Sequence, residues 1–329
     1  MAPVDVLLVS LGSTAGLRAA DAELAASLRR AGGRVEVVAA APQDQVRTLM
    51  LTDLAWAWAA RTAAVAGIRE HHPHAVLYST TTAALLWPRR GAIRFDALAE
   101  HTRPGHHGLW QRPLERRRLA RATLLVPWTQ PSLYGAPANR AHPLVVPVPV
   151  EASGLGEPWG ARDVAAVTYA AYPEKKGLDR VLTAWAAARR DGETLHVAGL
   201  DRDRLPADLP EGVEVTGRLE RDEYRALLRR TKVFVTAPRR EDHGIAQLEA
   251  LADGCVLVTT PAPGPYAALP IARELDARLV TDDLAPAIRA ALDDPAPRYH
   301  ERALPLLAPF TTAAVDRVVA LDLLPRLLA

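Results

Sequence analysis

At 329 residues the chain has material for two domains of ordinary size. Its 49% apolar and 24% charged residues can build two buried cores, which excludes a disordered or low-complexity chain. A formal net charge of +2 excludes wholesale nucleic-acid binding, and a single cysteine, Cys255, excludes an internal disulfide.

Cys255 stands in Asp253-Gly254-Cys255-Val256-Leu257-Val258, where it reads as a small apolar residue at a strand entry, not a nucleophile. No apolar run approaches the ~18 residues of a membrane span. The first one, Val6 to Leu11, is too short for a signal core and lacks a basic flank. A cytoplasmic protein is expected.

In chain order, Val4 to Ser10 reads as a buried parallel strand, Gly12 to Gly16 as a turn, and Ala15 to Arg30 as a helix ended by Gly32-Gly33. Val35 to Val38 is the next strand, so the chain opens as a βαβ unit. A long helix follows from Gln43 to Glu70, then a strand over Ala75 to Tyr78 and a short helix over Ala83 to Leu86. Ala92 to Phe95 is a strand, the segment to Trp110 is irregular and rich in Arg and His, and Pro113 to Arg121 is a helix. Strands over Leu124 to Pro127 and Leu144 to Pro149 complete this half. Glu151 to Arg162, rich in Gly and Pro, reads as a linker.

The alternation then restarts. Strands are expected over Val164 to Tyr169, Thr194 to Ala198, Val213 to Thr216, Val233 to Thr236 and Val256 to Val258. Helices are expected over Gly177 to Arg190, Glu220 to Arg230 and Gly244 to Asp253. This is an α/β chain with two open parallel sheets, whose ligands bind beyond the carboxyl ends of the strands.

The most informative segment runs from Pro238 to Gly254: Pro-Arg-Arg-Glu-Asp-His-Gly-Ile-Ala-Gln-Leu-Glu-Ala-Leu-Ala-Asp-Gly. It leaves a buried strand and opens a helix whose first N–H groups can face an anion. Glu249 is too deep in the helix to cap it. It falls among Ile245, Leu248, Ala250, Leu251 and Ala252. A carboxylate in such surroundings usually has a specific partner, and it can accept both hydroxyls of a diol.

Glu241 and Glu249, with seven residues between them and followed by Ala-Leu-Ala-Asp-Gly and an apolar strand, resemble the E-x7-E signature of glycosyltransferase family 4. Tyr172 to Asp179 resembles that family's K-G segment, His196 to Gly199 its next strand and turn, and Val215 to Leu219 the loop near its nucleobase. The resemblance covers residues 164 to 260 closely and the first half only in pattern.

That resemblance implies the GT-B architecture: two Rossmann-like parallel-sheet domains with a cleft between them. The N-terminal, acceptor-side domain would take residues 1–155 and the sugar-nucleotide domain 156–309. A helix over 310–329 would pack back on the N-terminal domain. The implied activity is retaining transfer of a sugar from a nucleoside-diphosphate sugar, a co-substrate, to an acceptor hydroxyl, with neither cofactor nor metal. Glu241 would contact the transferred sugar and Glu249 the ribose hydroxyls. Lys176 would neutralise the diphosphate, and the backbone at Asp242, His243, Gly244 and Ile245 would support sugar and phosphate oxygens. Gly199, Gly217, Arg218 and Leu219 would line the donor, and Gly12 and Ser13 could touch a phosphate.

The chain departs from the family in two places. The family's arginine five residues before the K-G lysine is Ala171 here. Lys175, Arg239 and Arg240 are the candidate replacements. The family histidine after the fourth strand is also missing at Arg94-Phe95-Asp96, so His101 or Asp96 is expected on the acceptor side.

Asp201-Arg202-Asp203 reads as a solvated turn, not a metal motif. His71, His72 and His74 close a helix, where cations are favoured, and His101, His106 and His107 lack the acid or Cys partner of a zinc site. Arg116, Arg117, Arg118 and Arg121 suit an anionic acceptor or peripheral contact with an anionic membrane, or form an ordinary solvated face. Trp56, Trp58 and Trp110 are candidates for stacking on an acceptor sugar, or core residues. Two other readings stay open: a different GT-B enzyme (inverting transferase, phosphorylase or epimerase), and a non-catalytic sugar-nucleotide-binding partner.

Overall fold

The computed structural model describes residues 4–139, 141–154, 156–206 and 208–329. Leu155, where the expected N-terminal domain ends, lies outside the described residues. Contacts divide the chain into two units. One runs to Pro149 and includes Pro309–Ala329; the other is Val150–Ala308.

The first unit is built on β1 (Val6–Ser10), β2 (Val35–Ala39), β3 (Ala75–Tyr78), β4 (Ala92–Phe95) and β5 (Leu125–Pro127). They form one parallel sheet in the order β2-β1-β3-β4-β5. Successive side chains of β1 serve opposite faces. Val6 and Leu8 join Leu24, Leu28, Leu77 and Val126 in one core. Leu7 and Val9 join Ala60, Ala64, Tyr78, Ile93 and Phe95 in the other.

The helix Ala15–Arg30 starts where Thr14 Oγ1 accepts the Leu17 N–H at 3.1 Å. The next helix is Leu49–His71, shorter at its start than the expected Gln43 to Glu70. Thr48 caps it by accepting the Leu51 N–H, and this cap fixes the first turn. The expected strand over Leu144 to Pro149 does not form. Pro143, Pro147 and Pro149 have no N–H to give a ladder. The segment nevertheless runs along β5, with the N–H groups of Leu144 and Val146 donating to Leu125 and Pro127.

The second unit carries β6 (Val164–Tyr169), β7 (Leu195–Ala198), β8 (Val213–Gly217), β9 (Thr231–Thr236) and β10 (Val256–Thr259). The sheet is again parallel, in the order β10-β9-β6-β7-β8. The expected linker is in fact bonded to this unit. Arg162, buried, donates to the carbonyls of Glu157, Thr231 and Asp253, and Ser153 donates to the Asp253 carboxylate.

Among the described residues one helical stretch, Tyr299–Leu328, is long and apolar enough to cross a membrane by length and composition. The sequence reading found none, because Arg and Asp interrupt its apolar runs. Val315, Val319, Leu323, Leu324 and Leu327 from this stretch are buried in the first unit's core. Asp316 fastens it to the helix Ala15–Arg30 through Ser27 and Arg30, at 2.5 and 2.6 Å.

Leu323 is fully buried in that core. Leu323→Ala should therefore destabilise the first unit by about 2–4 kcal/mol, through lost burial and the cavity left behind. Chemical denaturation followed by circular dichroism reads this. An unchanged midpoint would contradict the packing of the C-terminal stretch.

Candidate functional site

In the second sheet the direction of strand addition reverses between β6 and β9. Open α/β sheets bind ligands at the crevice beyond the carboxyl ends of such a pair. The turns after β6 and β9 carry the K-G segment and the first glutamate of the E-x7-E segment.

After β6 the short helix Pro173–Lys176 ends on Gly177, at φ 64°. A Cβ there would lie 1.9 Å from the Ala237 carbonyl oxygen, so both the dihedral and the contact require glycine. The turn is thereby pressed against the end of β9, and the Arg239 N–H donates to the Lys175 carbonyl at 3.0 Å. In this position Lys176 Nζ reaches Glu241 Oε2 at 2.5 Å. Gln247 Nε2 donates to the same oxygen at 3.0 Å.

Asp242 is held from two sides, by Lys175 Nζ at 2.7 Å and Arg240 Nε at 2.8 Å. Burial pushes its carboxyl up, but the two cations outweigh burial and hold it below the ordinary range. The His243 carbonyl accepts the Ala267 N–H, and a Cβ on Gly244 (φ 86°) would lie 2.8 Å from the Tyr266 ring. The helix Ile245–Ala252 has no side-chain cap, so no side chain takes up its first N–H groups, the kind of donors that suit an anion.

The three candidate replacements for the missing arginine are all engaged. Lys175 and Arg240 share Asp242. Arg239 forks onto Asp179 at 3.0 and 2.8 Å.

Glu249 lies one helical stretch behind this loop, with a side chain 14% exposed. Among the described residues no donor hydrogen-bonds to its carboxylate. Its neighbour is Arg225, whose Nη1 stands 3.6 Å from Oε1. Burial pushes the Glu249 carboxyl up, and Arg225 and Arg221 oppose that only in part.

Sequence reasoning missed Arg225. The signal was available: it sits between Tyr224 and Leu227-Leu228 on the buried face of the helix Arg221–Arg230, where an unpaired arginine would be costly.

Of the remaining expected donor residues, Gly199 follows β7 and Gly217 ends β8. Leu219 follows in the same loop, and Arg218 is exposed beside Asp201 at 3.4 Å. Among the described residues no group of three or more His, Cys, Asp or Glu is arranged to hold a metal.

In the first unit the reversal falls between β1 and β3. Gly12 (φ 60°) and Ser13 form the turn there, and the Leu11 N–H donates to Ser79 Oγ at 3.0 Å. Beneath it Ser10 Oγ donates to Asp21, and Arg94 lies 3.6 Å from Asp21 and under the Trp128 ring. Asp96 accepts the Ala97 N–H after β4. His101 Nε2 is 3.0 Å from the Tyr134 carbonyl, with its ring stacked on Tyr134.

A cavity of about 260 Å³ opens beside Glu100, Arg112, Glu115 and Arg116, and burial pushes the Glu115 carboxyl up to about 7. Arg116 and Arg117 are exposed. Arg118 instead donates to the Leu85 carbonyl and lies over Trp87, so packing accounts for it. Trp58 is 62% exposed, while Trp56 packs against the core.

Two five-stranded parallel sheets with helices are the fold of the GT-B glycosyltransferases, and solved structures agree. Sucrose-phosphate synthase from Thermosynechococcus elongatus superposes with a TM-score of 0.75 at 15% identity, over 96% of each chain. WaaG, a glycosyltransferase involved in lipopolysaccharide biosynthesis, gives 0.69 at 14%, over 96% of this chain and 98% of its own. Anabaena HepE, solved in complex with UDP and glucose, gives 0.66 at 15%, over 97% and 99%. Residues 162–294, the greater part of the second unit, match the family described as glycosyl transferases group 1. No curated protein sequence matches the chain at a significant level.

The raised Glu249 carboxyl has a consequence for stability. A carboxyl whose folded pKa exceeds its unfolded value favours folding when protonated. That stability is complete below the ordinary glutamate range and is lost as pH rises through the folded pKa. Glu249→Gln should therefore raise Tm at neutral pH, with the gain vanishing below about pH 4. A scanning-calorimetry series across pH checks this. A lowered Tm at neutral pH would mean that Arg225 more than compensates burial.

Proposed function

We propose that the protein is a retaining, metal-independent glycosyltransferase that moves a hexosyl group from a nucleoside-diphosphate sugar to an acceptor hydroxyl. The observation that supports this most directly is the Lys176–Glu241 pair at the strand reversal, beside the uncapped start of the helix Ile245–Ala252. A cation and helix N–H groups suit a diphosphate, and a carboxylate beside them suits sugar hydroxyls.

In this reading the bond from the anomeric carbon to the diphosphate oxygen breaks, and the diphosphate leaves with the electron pair. Lys176 and the helix N–H groups stabilise the charge that develops on it. The acceptor hydroxyl attacks from the same face and passes its proton to a donor phosphate oxygen, so configuration is retained. Glu241 holds hydroxyls of the transferred sugar, and Glu249 the ribose diol. Asp96 and His101 serve the acceptor side, and Gly12 and Ser13 offer backbone donors. The exposed Arg116 and Arg117 suit an acceptor at an anionic membrane surface, reached from the cytoplasmic side.

The two glutamates separate under test. Glu249→Gln should weaken the bare nucleoside diphosphate by about 1.5–3 kcal/mol, because an amide offers one acceptor oxygen to a diol that wants two. Glu241→Gln should leave that affinity nearly intact and damage turnover of the whole donor. Isothermal titration of both variants, after a thermal-shift screen of UDP, GDP, ADP and TDP sugars, reads the contrast. An identical defect toward the bare diphosphate in both would refute the assigned roles. Turnover should also persist in EDTA; loss there, restored by manganese, would exclude a metal-independent reaction.

A further inference from the structure

Nothing in the two-glutamate segment calls for Arg225, yet it is the charged group nearest to Glu249. We propose that Arg225 is a positioning residue for the nucleotide. Clamped onto Asp253, it holds one nitrogen beside Glu249 and keeps that carboxylate charged and fixed for a ribose diol. The inference rests on the reading of Glu249 as the ribose ligand and adds to it the residue that makes the reading work.

The clamp is rigid. Arg225 Nε and Nη2 donate to the two oxygens of Asp253 at 2.6 and 2.9 Å. Nη2 also donates to the Glu151 carbonyl at 2.6 Å. Asp253, fully buried, is itself held by the N–H and hydroxyl of Ser153, at 2.8 and 3.0 Å. The guanidinium plane is thus fixed by hydrogen bonds within the protein.

The remaining nitrogen, Nη1, stops 3.6 Å from Glu249 Oε1. That is too long for a hydrogen bond but close enough for charge to act. Both glutamate oxygens therefore keep their lone pairs for hydroxyl donors. A lysine in this place would supply charge without the fork that sets its position.

Other groups also act on Glu249. Arg221 shares the helix of Arg225 and favours the charged form, and Asp253 at the end of the glutamate's own helix opposes it. Tyr169 of β6 and Tyr224 feel the charge of Glu249 in turn. Without Arg225, burial is opposed by Arg221 alone, and protonation moves toward neutral pH. A protonated carboxyl loses an acceptor that the second hydroxyl of the diol needs.

Arg225→Met by itself would leave Asp253 buried and unpaired, so the test pairs it with Asp253→Asn. Affinity for UDP, with GDP and ADP in parallel, is measured for R225M/D253N and for the unaltered protein between about pH 6.5 and about pH 8.5, with D253N as a third protein that loses the clamp but keeps the arginine. The ratio of the first two dissociation constants cancels titration of the diphosphate. It should exceed unity near about pH 6.5, grow as pH falls and shrink to unity near about pH 8.5; about tenfold is the ceiling a one-unit rise in the carboxyl pKa sets, approached only below both pKa values. Adding Glu249→Gln to both proteins of the ratio should make it independent of pH, and Arg225→Lys alone should show the same trend more weakly.

A ratio that does not change with pH would overturn the inference and leave Arg225 a structural residue. The parent reading fails separately. If Glu249→Gln alone binds the diphosphate as the unaltered protein does, Glu249 is not the ribose ligand. If it binds weakly while the ratio stays flat, only the role of Arg225 is lost.

Discussion

Where the backbone of Gly177 meets the carbonyl of Ala237, no side chain fits between them. This contact joins the turn after β6 to the end of β9, two strands that neighbour each other only because the sheet order reverses there. The consequences are local and large. Lys175 and Lys176 come to lie over the loop that carries Glu241 and Asp242, and each lysine takes one acid. Moving the turn away from the strand would part both pairs at once. The glycine of the K-G segment is therefore a packing requirement first, and the placement of the cations follows from it.

The site then gathers charge into a nearly dry region, which is unfavourable unless each charge is matched. Most are matched. Glu241 has Lys176 and Gln247, Asp242 has Lys175 and Arg240, and Asp253 has Arg225 and Ser153. Glu249 is the exception, since it faces a cation and receives no hydrogen bond among the described residues. Such a group costs stability in the folded protein and is explained if a ligand completes it. The two effects of Glu249→Gln, a more stable protein and a poorer binder of the nucleotide, are opposite faces of that one fact.

Much of this was legible in the sequence. The α/β alternation, the two sheets and the boundaries of Ala15–Arg30, β3, β4 and β6 followed from apolar periodicity and from caps, which are local signals. The Leu144 to Pro149 strand failed because prolines left its apolar pattern without donors. The expected linker proved bonded to the second unit through Ser153 and Arg162, contacts that span 100 and 91 residues to Asp253 and that no local pattern announces. Arg225 did carry a local signal, its place on an apolar helix face, but its partner Asp253 lies 28 residues away and no local pattern announces that pairing. Single residues could be nominated from the motif, but who compensates whom depends on long-range packing.

The first unit shows by contrast why charge, and not topology alone, separates the roles of the two sheets. It has a strand reversal of its own and a glycine turn above it, so its geometry would also admit a ligand. The cations beside that turn are engaged by groups of the unit itself. Arg94 is buried against Asp21, with burial pushing the arginine down to about 10 and the Asp21 carboxyl up. Arg18 is turned onto the Gly12 carbonyl at 2.8 Å. What this crevice offers is backbone N–H groups and hydroxyls such as Ser13. The second unit's crevice has an uncapped helix start beside two lysines, each paired with an acid at the mouth of the site. Under the proposed function the diphosphate carries most of the donor's charge, and a crevice with cations and a helix start at its mouth matches it better than one with backbone groups and hydroxyls.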